Sequence, residues 1–180
     1  MTSQSFGRPV LSLAELEEAI ATYTSLAATK LRRQRSQASQ VHVFLHTNFF
    51  QRDHDQPQYA RSTSCTLAFP TAFTPDLIAA ALTCMREIYQ PGYKFKKAGV
   101  SLTHITPQEV LQPDLFGKFS FEEHERQQRL MQVVDQINAQ WGRNTIFYGS
   151  MGLERAWQMR QNHLSPHYTT RWPDLLTVRS

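Results

Sequence analysis

Residues 40–47, Gln-Val-His-Val-Phe-Leu-His-Thr, alternate between aliphatic side chains and histidine or phenylalanine. Successive side chains of a strand point to opposite faces of its sheet, so this alternation predicts a half-buried β-strand. The set predicted to face a core is Val41, Val43 and Leu45. The set predicted to face the other way is His42, Phe44 and His46. The stretch therefore predicts a sheet with one buried face and one open face.

Segments on either side of this strand complete the order β-α-β-β-α-β. Apolar residues at steps of three and four predict helices over residues 12–33 and from residue 74 to about residue 90. Ser12 and Glu15 have the spacing of a capping box at the start of the first helix. Further strands are predicted at residues 5–10, 61–69 and 94–104. The predicted fold class is α+β, with two helices on one face of a four-stranded antiparallel sheet.

The open face of this predicted sheet is polar, basic and partly aromatic. We expect it to present His42, Phe44, His46, Ser64, Thr66, Phe95 and Lys97. Such a surface suits contacts to phosphate groups. An exposed face of an antiparallel sheet is also often only solvated, so both interpretations stand at this level.

The 180 residues carry a net charge of +4, and 41% of them are hydrophobic. The mild positive charge permits a polyanionic partner without requiring one. The sequence has neither a run of about 20 apolar residues nor a visible signal peptide, so no membrane association is expected. The two cysteines, Cys65 and Cys84, are too few for a disulfide scaffold, which favours a cytoplasmic location.

Residue patterns for catalysis, metals and cofactors are missing. The sequence has no Gly-x-Ser-x-Gly and no glycine-rich phosphate loop. His42 and His46 share one strand face, but no cysteine or third ligand accompanies them, so a zinc site is poorly supported. The acidic clusters lie in first turns of predicted helices, where the helix dipole explains them. We therefore expect no catalytic residue, no metal and no cofactor.

A short motif, Gln112-Pro-Asp-Leu-Phe116, follows the predicted sheet in a polar stretch of the chain. An exposed Leu-Phe pair in such a segment can insert into an apolar pocket of a partner. The same pair can equally dock on the core of its own chain. Five residues do not decide between these alternatives.

The remaining sequence predicts a small, mainly helical domain. Ser120 and Glu123 form another capping box, and a helix is predicted from there to Trp141. A further helix is predicted over residues 153–163. The tail that follows is aromatic and polar and has no hydrophobic periodicity. The expected organisation is a domain over 1–106, a linker over 107–119 and a second domain over 120–180.

Several of these segments together resemble the C-terminal half of the UmuC family, the Y-family translesion polymerases that act as catalytic subunits of SOS DNA polymerase V. The resemblance spans nearly the whole chain, and the string from Ser165 to Trp172 is its most specific part. Further matching segments lie at residues 23–33 and 112–116. Three others are Ser3-Gln-Ser-Phe-Gly-Arg8, Val43-Phe-Leu-His-Thr-Asn48 and Tyr93-Lys-Phe-Lys-Lys-Ala-Gly-Val100.

The resemblance implies that residues 1–106 form a little-finger domain that grips template-primer DNA. It implies that DNA is contacted by Ser5, Gly7, Arg8, Arg61, Ser62, Ser64, Lys94, Lys96 and Lys97. It also implies that the linker binds a sliding clamp through Gln112, Leu115 and Phe116. The tail matches the family's C-terminal domain, whose implied partners are UmuD′ and RecA.

The family's palm, with its metal-binding carboxylates, has no counterpart in these 180 residues. We therefore expect that this chain alone does not polymerise DNA. An excised fragment, a truncated reading frame and a natural remnant all fit the sequence.

Two other classes of protein stay open: a stand-alone protein that occupies the clamp or RecA without touching DNA, and an RNA-binding module. The second lacks the aromatic strand signature that it needs.

Overall fold

A computed structural model describes residues 1–49, 57–110 and 120–159, together with residues 172 and 175. The β-α-β-β-α-β order and the α+β class are confirmed. The elements are β1 (Thr2–Val10), α1 (Leu13–Arg33), β2 (Ser36–Thr47), β3 (Ala60–Thr71), α2 (Thr74–Ile88), β4 (Phe95–Pro107) and α3 (Phe121–Gln140), followed by a 3-10 turn at Gly149–Met151.

The four strands form one antiparallel sheet in the order β1-β4-β2-β3. The two central strands are β2 and β4, which places the decisive alternating stretch in the middle of the sheet. Leu45 pairs with Ala98 and Val43 with Val100, so aliphatic residues meet on one face. Both strands are longer than expected, and β4 runs to Pro107, the first residue of the predicted linker.

Helices α1 and α2 pack on that aliphatic face and close the core. Leu16, Ile20 and Tyr23 of α1 are almost fully buried, as are Leu77 and Met85 of α2. Burial of this apolar surface, at roughly 25 cal/mol per Å² removed from water, is the main favourable term in the fold. No helix in the described part of the chain lies on the opposite face of the sheet, as the alternation predicted.

The two predicted capping boxes have different outcomes. At α3, the Ser120 hydroxyl accepts a 3.3 Å hydrogen bond from the Glu123 amide, so that cap is confirmed. At α1, Ser12 is the N-cap residue but makes no side-chain capping bond. The Glu15 carboxylate pairs with Arg8 instead of reaching back to Ser12, which explains why this box was wrong.

Phe95 lies in the core, so its predicted place on the open face is wrong. His46 pairs with Lys97 while Thr47 pairs with Phe95, which leaves Lys96 as an extra residue in β4. An extra residue in one strand reverses the alternation of side chains beyond it. Phe95 is therefore fully buried, and its ring lies 5.8 Å from that of Tyr59.

The C-terminal segment docks on α1 and β1 through Trp157. This side chain is 1% exposed and makes edge-on ring contacts with Phe6 at 6.2 Å and Tyr23 at 5.7 Å. The Gly7 amide donates to the Trp157 carbonyl at 3.0 Å. Residues 153–159 consequently form turns, and the helix predicted from residue 153 is wrong over this range.

Among the residues that the structure describes, no helix is long and apolar enough to cross a bilayer.

Candidate nucleic-acid interface

The open sheet face is the side of the sheet that α1 and α2 leave uncovered. Strand register assigns its members, because directly paired residues point to the same side. The open sheet face consists of Ser3, Ser5, Gln40, His42, Phe44, His46, Ala60, Ser62, Ser64, Thr66, Lys97, Gly99, Ser101 and Thr103.

The register arranges these residues in rows across the four strands. One row runs Ser5, Lys97, His46 and Ala60. The next row runs Ser3, Gly99, Phe44 and Ser62. Ser3 and Ser5 of β1 therefore lie on one side of an aromatic and basic centre, and Ala60 and Ser62 of β3 lie on the other.

Aromatic rings line β2 along its open side. The rings of Phe44 and His46 lie 6.1 Å apart and are nearly parallel, with an interplanar angle of 12°. The His42 ring lies 6.4 Å from Phe44, and the Phe49 ring lies 5.6 Å from His46. We call these four side chains, His42, Phe44, His46 and Phe49, the aromatic row.

The Phe44 ring lies directly above Gly99 of the neighbouring strand. A Cβ added at Gly99 would stand 2.4 Å from two atoms of this ring and 2.6 Å from the Cβ of Ser3. No larger residue fits at position 99 unless the ring moves. Glycine within a strand often marks such a close approach, and an aromatic neighbour covers the gap.

Acidic residues are absent from the sheet. The four strands contain no aspartate or glutamate at any position. Carboxylates of the described residues lie on the helices, as with Glu17 of α1, which pairs with Arg86 of α2 at 2.7 Å, or in irregular segments, as with Glu109 and Glu154. The open sheet face thus presents Lys97 and hydroxyl groups without a competing negative charge, which favours an anionic ligand.

Four of the nine residues implied to contact DNA meet on this face: Ser5, Ser62, Ser64 and Lys97. Two others lie at its margin: Lys94 is exposed ahead of β4, and the Lys96 ammonium at the bulge donates to the Phe6 carbonyl at 2.8 Å. Arg61 is exposed in the edge strand β3 but pairs with Leu45, so it points to the side of the sheet on which the helices pack.

Gly7 and Arg8 lie in another environment. A Cβ added at Gly7 would stand 2.7 Å from the carbonyl oxygen of Gln158, so this glycine faces the C-terminal segment. Arg8 pairs with Glu15 at the start of α1. The structure does not bring these two residues together with the open sheet face.

The clamp-binding prediction falls on Gln112, Leu115 and Phe116, which lie outside the described residues, as does most of the aromatic tail. Sequence reasoning missed the role of Gly99 and the membership of Ser3. Both follow from register, since Gly99 stands opposite Phe44 only once the pairing of β2 with β4 is known.

A cavity of about 510 Å³ lies between the end of α1 and α3. Arg32, Arg33 and His124 are among its lining residues, and burial lowers the pKa of His124. Across residues 1–49, 57–110 and 120–159, no three histidine, cysteine or acidic side chains gather as a metal site.

Comparison with known proteins bears on both parts of the chain. Residues 1–115 match the impB/mucB/samB family C-terminal domain, and residues 128–178 match a domain of unknown function, DUF4113. UmuC of Salmonella typhimurium is 35% identical over 98% of this chain and 41% of its own length. SamB of the same species is 37% identical over 96% of this chain and 40% of its own length. MucB of Escherichia coli is 34% identical over 96% of this chain and 39% of its own length.

A solved complex of beta-clamp processivity factor and little finger domain of PolIV aligns with 63% of this chain and 94% of the matched chain, at a TM-score of 0.41 and 18% identity. The chain spans about two fifths of the length of the curated relatives it matches. The match over residues 1–115 covers well over half of the chain, and it shows that the protein belongs to the impB/mucB/samB family through that family's C-terminal domain.

Proposed function

We propose that this chain is the DNA-binding and sliding-clamp-binding C-terminal portion of a UmuC-type translesion polymerase that acts in SOS DNA repair. In this proposal residues 1–106 grip template-primer DNA, residues 107–119 bind the clamp, and residues 120–180 engage UmuD′ and RecA. The chain itself contributes binding and positioning, while nucleotide incorporation takes place in the palm of a complete polymerase.

The observation that carries the proposal is the absence of acidic residues from the four strands. Four acid-free strands present Lys97 and rows of small hydroxyls on a face that α1 and α2 leave uncovered. Hydroxyl groups and cations contact phosphate oxygens without reading base identity. A polymerase that copies altered bases needs a grip of this kind, because base-specific contacts would reject the altered template.

Binding of this type depends steeply on salt. Each phosphate that a cation neutralises releases condensed counterions, so log K for duplex DNA falls by about 0.9 per phosphate for each decade of salt. With about four phosphates neutralised, the slope is about −3.6. Affinity at low salt therefore reports mainly the number of cations that reach the backbone.

The clamp contact rests on the family resemblance of the motif at residues 112–116. Burial of Leu115 and Phe116 in an apolar groove contributes about 1.5–3 kcal/mol for each side chain. Ordering of the linker offsets part of this gain. We expect a micromolar tether, about −8 kcal/mol, whose value lies in its linkage to a second weak contact with DNA.

The DNA-binding proposal is tested by anisotropy titrations of the 180-residue chain with labelled primed DNA from 50 to 200 mM salt. Lys97→Ala is expected to lower affinity and to flatten the salt slope by about one, the loss of one phosphate contact. Lys30→Ala, an exposed cation at the end of α1, is the matched control and should leave the slope unchanged. Equal slopes for the two variants would place the DNA on another surface.

The clamp proposal is tested separately with purified sliding clamp. The double variant Leu115→Ala with Phe116→Ala should abolish measurable binding in the micromolar range. An unchanged affinity would remove the tethering role. If clamp binding persists in a chain that binds no DNA at low salt, the alternative of a stand-alone interaction protein is the better description.

A further inference from the structure

We propose that the aromatic row is a stacking platform for unpaired nucleobases, so that the open sheet face binds single-stranded DNA in addition to the duplex part of template-primer DNA. This inference rests on the proposed DNA-binding function and extends it to unpaired DNA. Phe44 is the centre of the platform, because it has a ring neighbour on each side along β2.

The arrangement of the rings is the first argument. The rings of Phe44 and His46 are nearly parallel at a centroid distance of 6.1 Å, and Phe49 extends the row with 53% of its side chain exposed. Every base has a π-face, so a row of aromatic side chains binds successive bases with little sequence preference. Stacking of one base on one aromatic side chain contributes about 1–3 kcal/mol.

The position of the Phe44 ring is the second argument. Gly99 leaves open the space that a side chain would fill, and the ring lies in it, above the backbone of β4. A ring seated on the sheet keeps its orientation without a bound ligand. Such preorganisation reduces the entropy that binding would otherwise cost.

The surroundings of the row are the third argument. Lys97 pairs with His46 across the sheet, and Ser3, Ser62 and Ser101 stand in the adjacent positions. A cation and several hydroxyls next to aromatic rings match the phosphates and bases of one strand. In duplex DNA both faces of each base are already stacked, so the rings gain a partner only from unpaired DNA.

The test uses the full 180-residue chain and three probes with equal numbers of phosphates: oligo-dT, an abasic oligomer of the same length, and a blunt duplex. The wild-type protein should bind oligo-dT at least about fivefold more tightly than the abasic oligomer, the ratio that about 1 kcal/mol of stacking produces. Phe44→Leu should bring this ratio close to one while duplex affinity stays the same. Phe121→Leu, which truncates a ring that is 52% exposed at the start of α3, is the matched control and should keep the wild-type ratio.

Other outcomes overturn the inference in distinguishable ways. Equal affinity of the wild-type protein for oligo-dT and the abasic oligomer would refute stacking and leave the proposed function standing. Equal losses for oligo-dT and duplex in Phe44→Leu would show that the ring only supports the sheet over Gly99. Failure of the wild-type protein to bind any of the three probes would overturn the inference and the proposed function together.

Discussion

The guanidinium group of Arg32 donates to both carboxylate oxygens of Asp135, at 2.7 and 2.8 Å, and thereby ties α1 to α3. The same group also donates to the carbonyl of Ala72 and to the hydroxyl of Thr74, so it joins three parts of the fold at one point. The Arg32 side chain is only 10% exposed. Hydrogen bonds between such a shielded cation and a carboxylate are stronger than those at an open surface.

Arg32→Ala is expected to release α3 from the sheet domain and to lower the free energy of unfolding by about 2–3 kcal/mol. The variant leaves Asp135 without its partner, and an unpaired, partly buried carboxylate costs more than a lost surface contact. Denaturant unfolding gives the stability change, and hydrogen exchange shows whether amides of α3 lose protection.

Arg86→Ala is the matched control for this prediction. Its ion pair with Glu17 also has a 2.7 Å contact, but the Arg86 side chain is 58% exposed. Exposed ion pairs contribute about 0–1 kcal/mol. A loss for Arg86→Ala as large as that for Arg32→Ala would contradict the assignment of a special role to the Arg32 contact.

Trp157→Ala is expected to undock residues 149–159 from α1 and β1. The variant removes the ring contacts with Phe6 and Tyr23 and the 3.3 Å hydrogen bond from the indole nitrogen to Glu18. Truncation of a buried aromatic side chain costs about 3–5 kcal/mol. Proteolysis within residues 149–159 should become faster while the sheet domain stays folded.

Fluorescence separates this tryptophan from the other two. Trp157 is buried, whereas Trp141 and Trp172 are 65% and 86% exposed. Trp157→Phe should therefore remove the blue-shifted, quencher-resistant part of the emission and keep most of the packing. Emission that stays unchanged in this variant would mean that Trp157 is exposed in solution.

The two cysteines should differ in reactivity and in their effect on stability. Burial, and secondarily Cys65 and Glu87, raises the pKa of the Cys84 thiol from 9.0 to about 12. Between pH 9 and 12 the unfolded chain loses this proton while the folded chain keeps it, so stability falls as pH rises through this window and is unaffected below it. The folded protein at pH 8 should react with a thiol reagent at Cys65, which is only partly buried, well before Cys84.

Cys84→Ala isolates the contribution of that thiol. Its free energy of unfolding should fall less steeply than that of the wild-type protein between pH 9 and 10. Burial also raises the pKa of Tyr23, but this residue is present in both proteins, so its contribution cancels when their slopes are compared. Identical slopes for the two proteins would contradict the raised pKa of Cys84.

The element order and the open face followed from sequence because alternation and helical periodicity are local patterns. The buried side of β2 is indicated by its own alternating aliphatic residues, Val41, Val43 and Leu45, and the neighbouring strand is not needed to predict it. The same reasoning places Phe95 on the wrong face of the sheet, because the bulge at Lys96 depends on how two strands pair. Register depends on both strands of a pair, so the sequence of one strand alone does not predict it.

The candidate site was predictable to the extent that it lies on β2. The alternation of side chains along β2 correctly places His42, Phe44 and His46 on the open sheet face. The fit of Gly99 under Phe44 depends on how the neighbouring strand pairs with β2. The docking of Trp157 was missed for a related reason. Trp157 lies in an irregular segment without hydrophobic periodicity, so no local pattern predicts that it is buried. Its burial depends on contacts with Phe6 and Tyr23, more than 130 residues earlier in the chain.

Gly7→Ala is expected to weaken the docking of the C-terminal segment on β1. The added Cβ would stand 2.7 Å from the Gln158 carbonyl oxygen and 3.0 Å from the Met159 Cα, and both are backbone atoms that cannot rotate away. Overpacking of this kind costs about 1–3 kcal/mol. Gly149→Ala is the matched control, because its Cβ meets no atom within 4 Å. Hydrogen exchange over residues 149–159 should accelerate in Gly7→Ala and stay near the wild-type rate in Gly149→Ala; equal protection in the two variants would show that Gly7 does not make this close approach in solution.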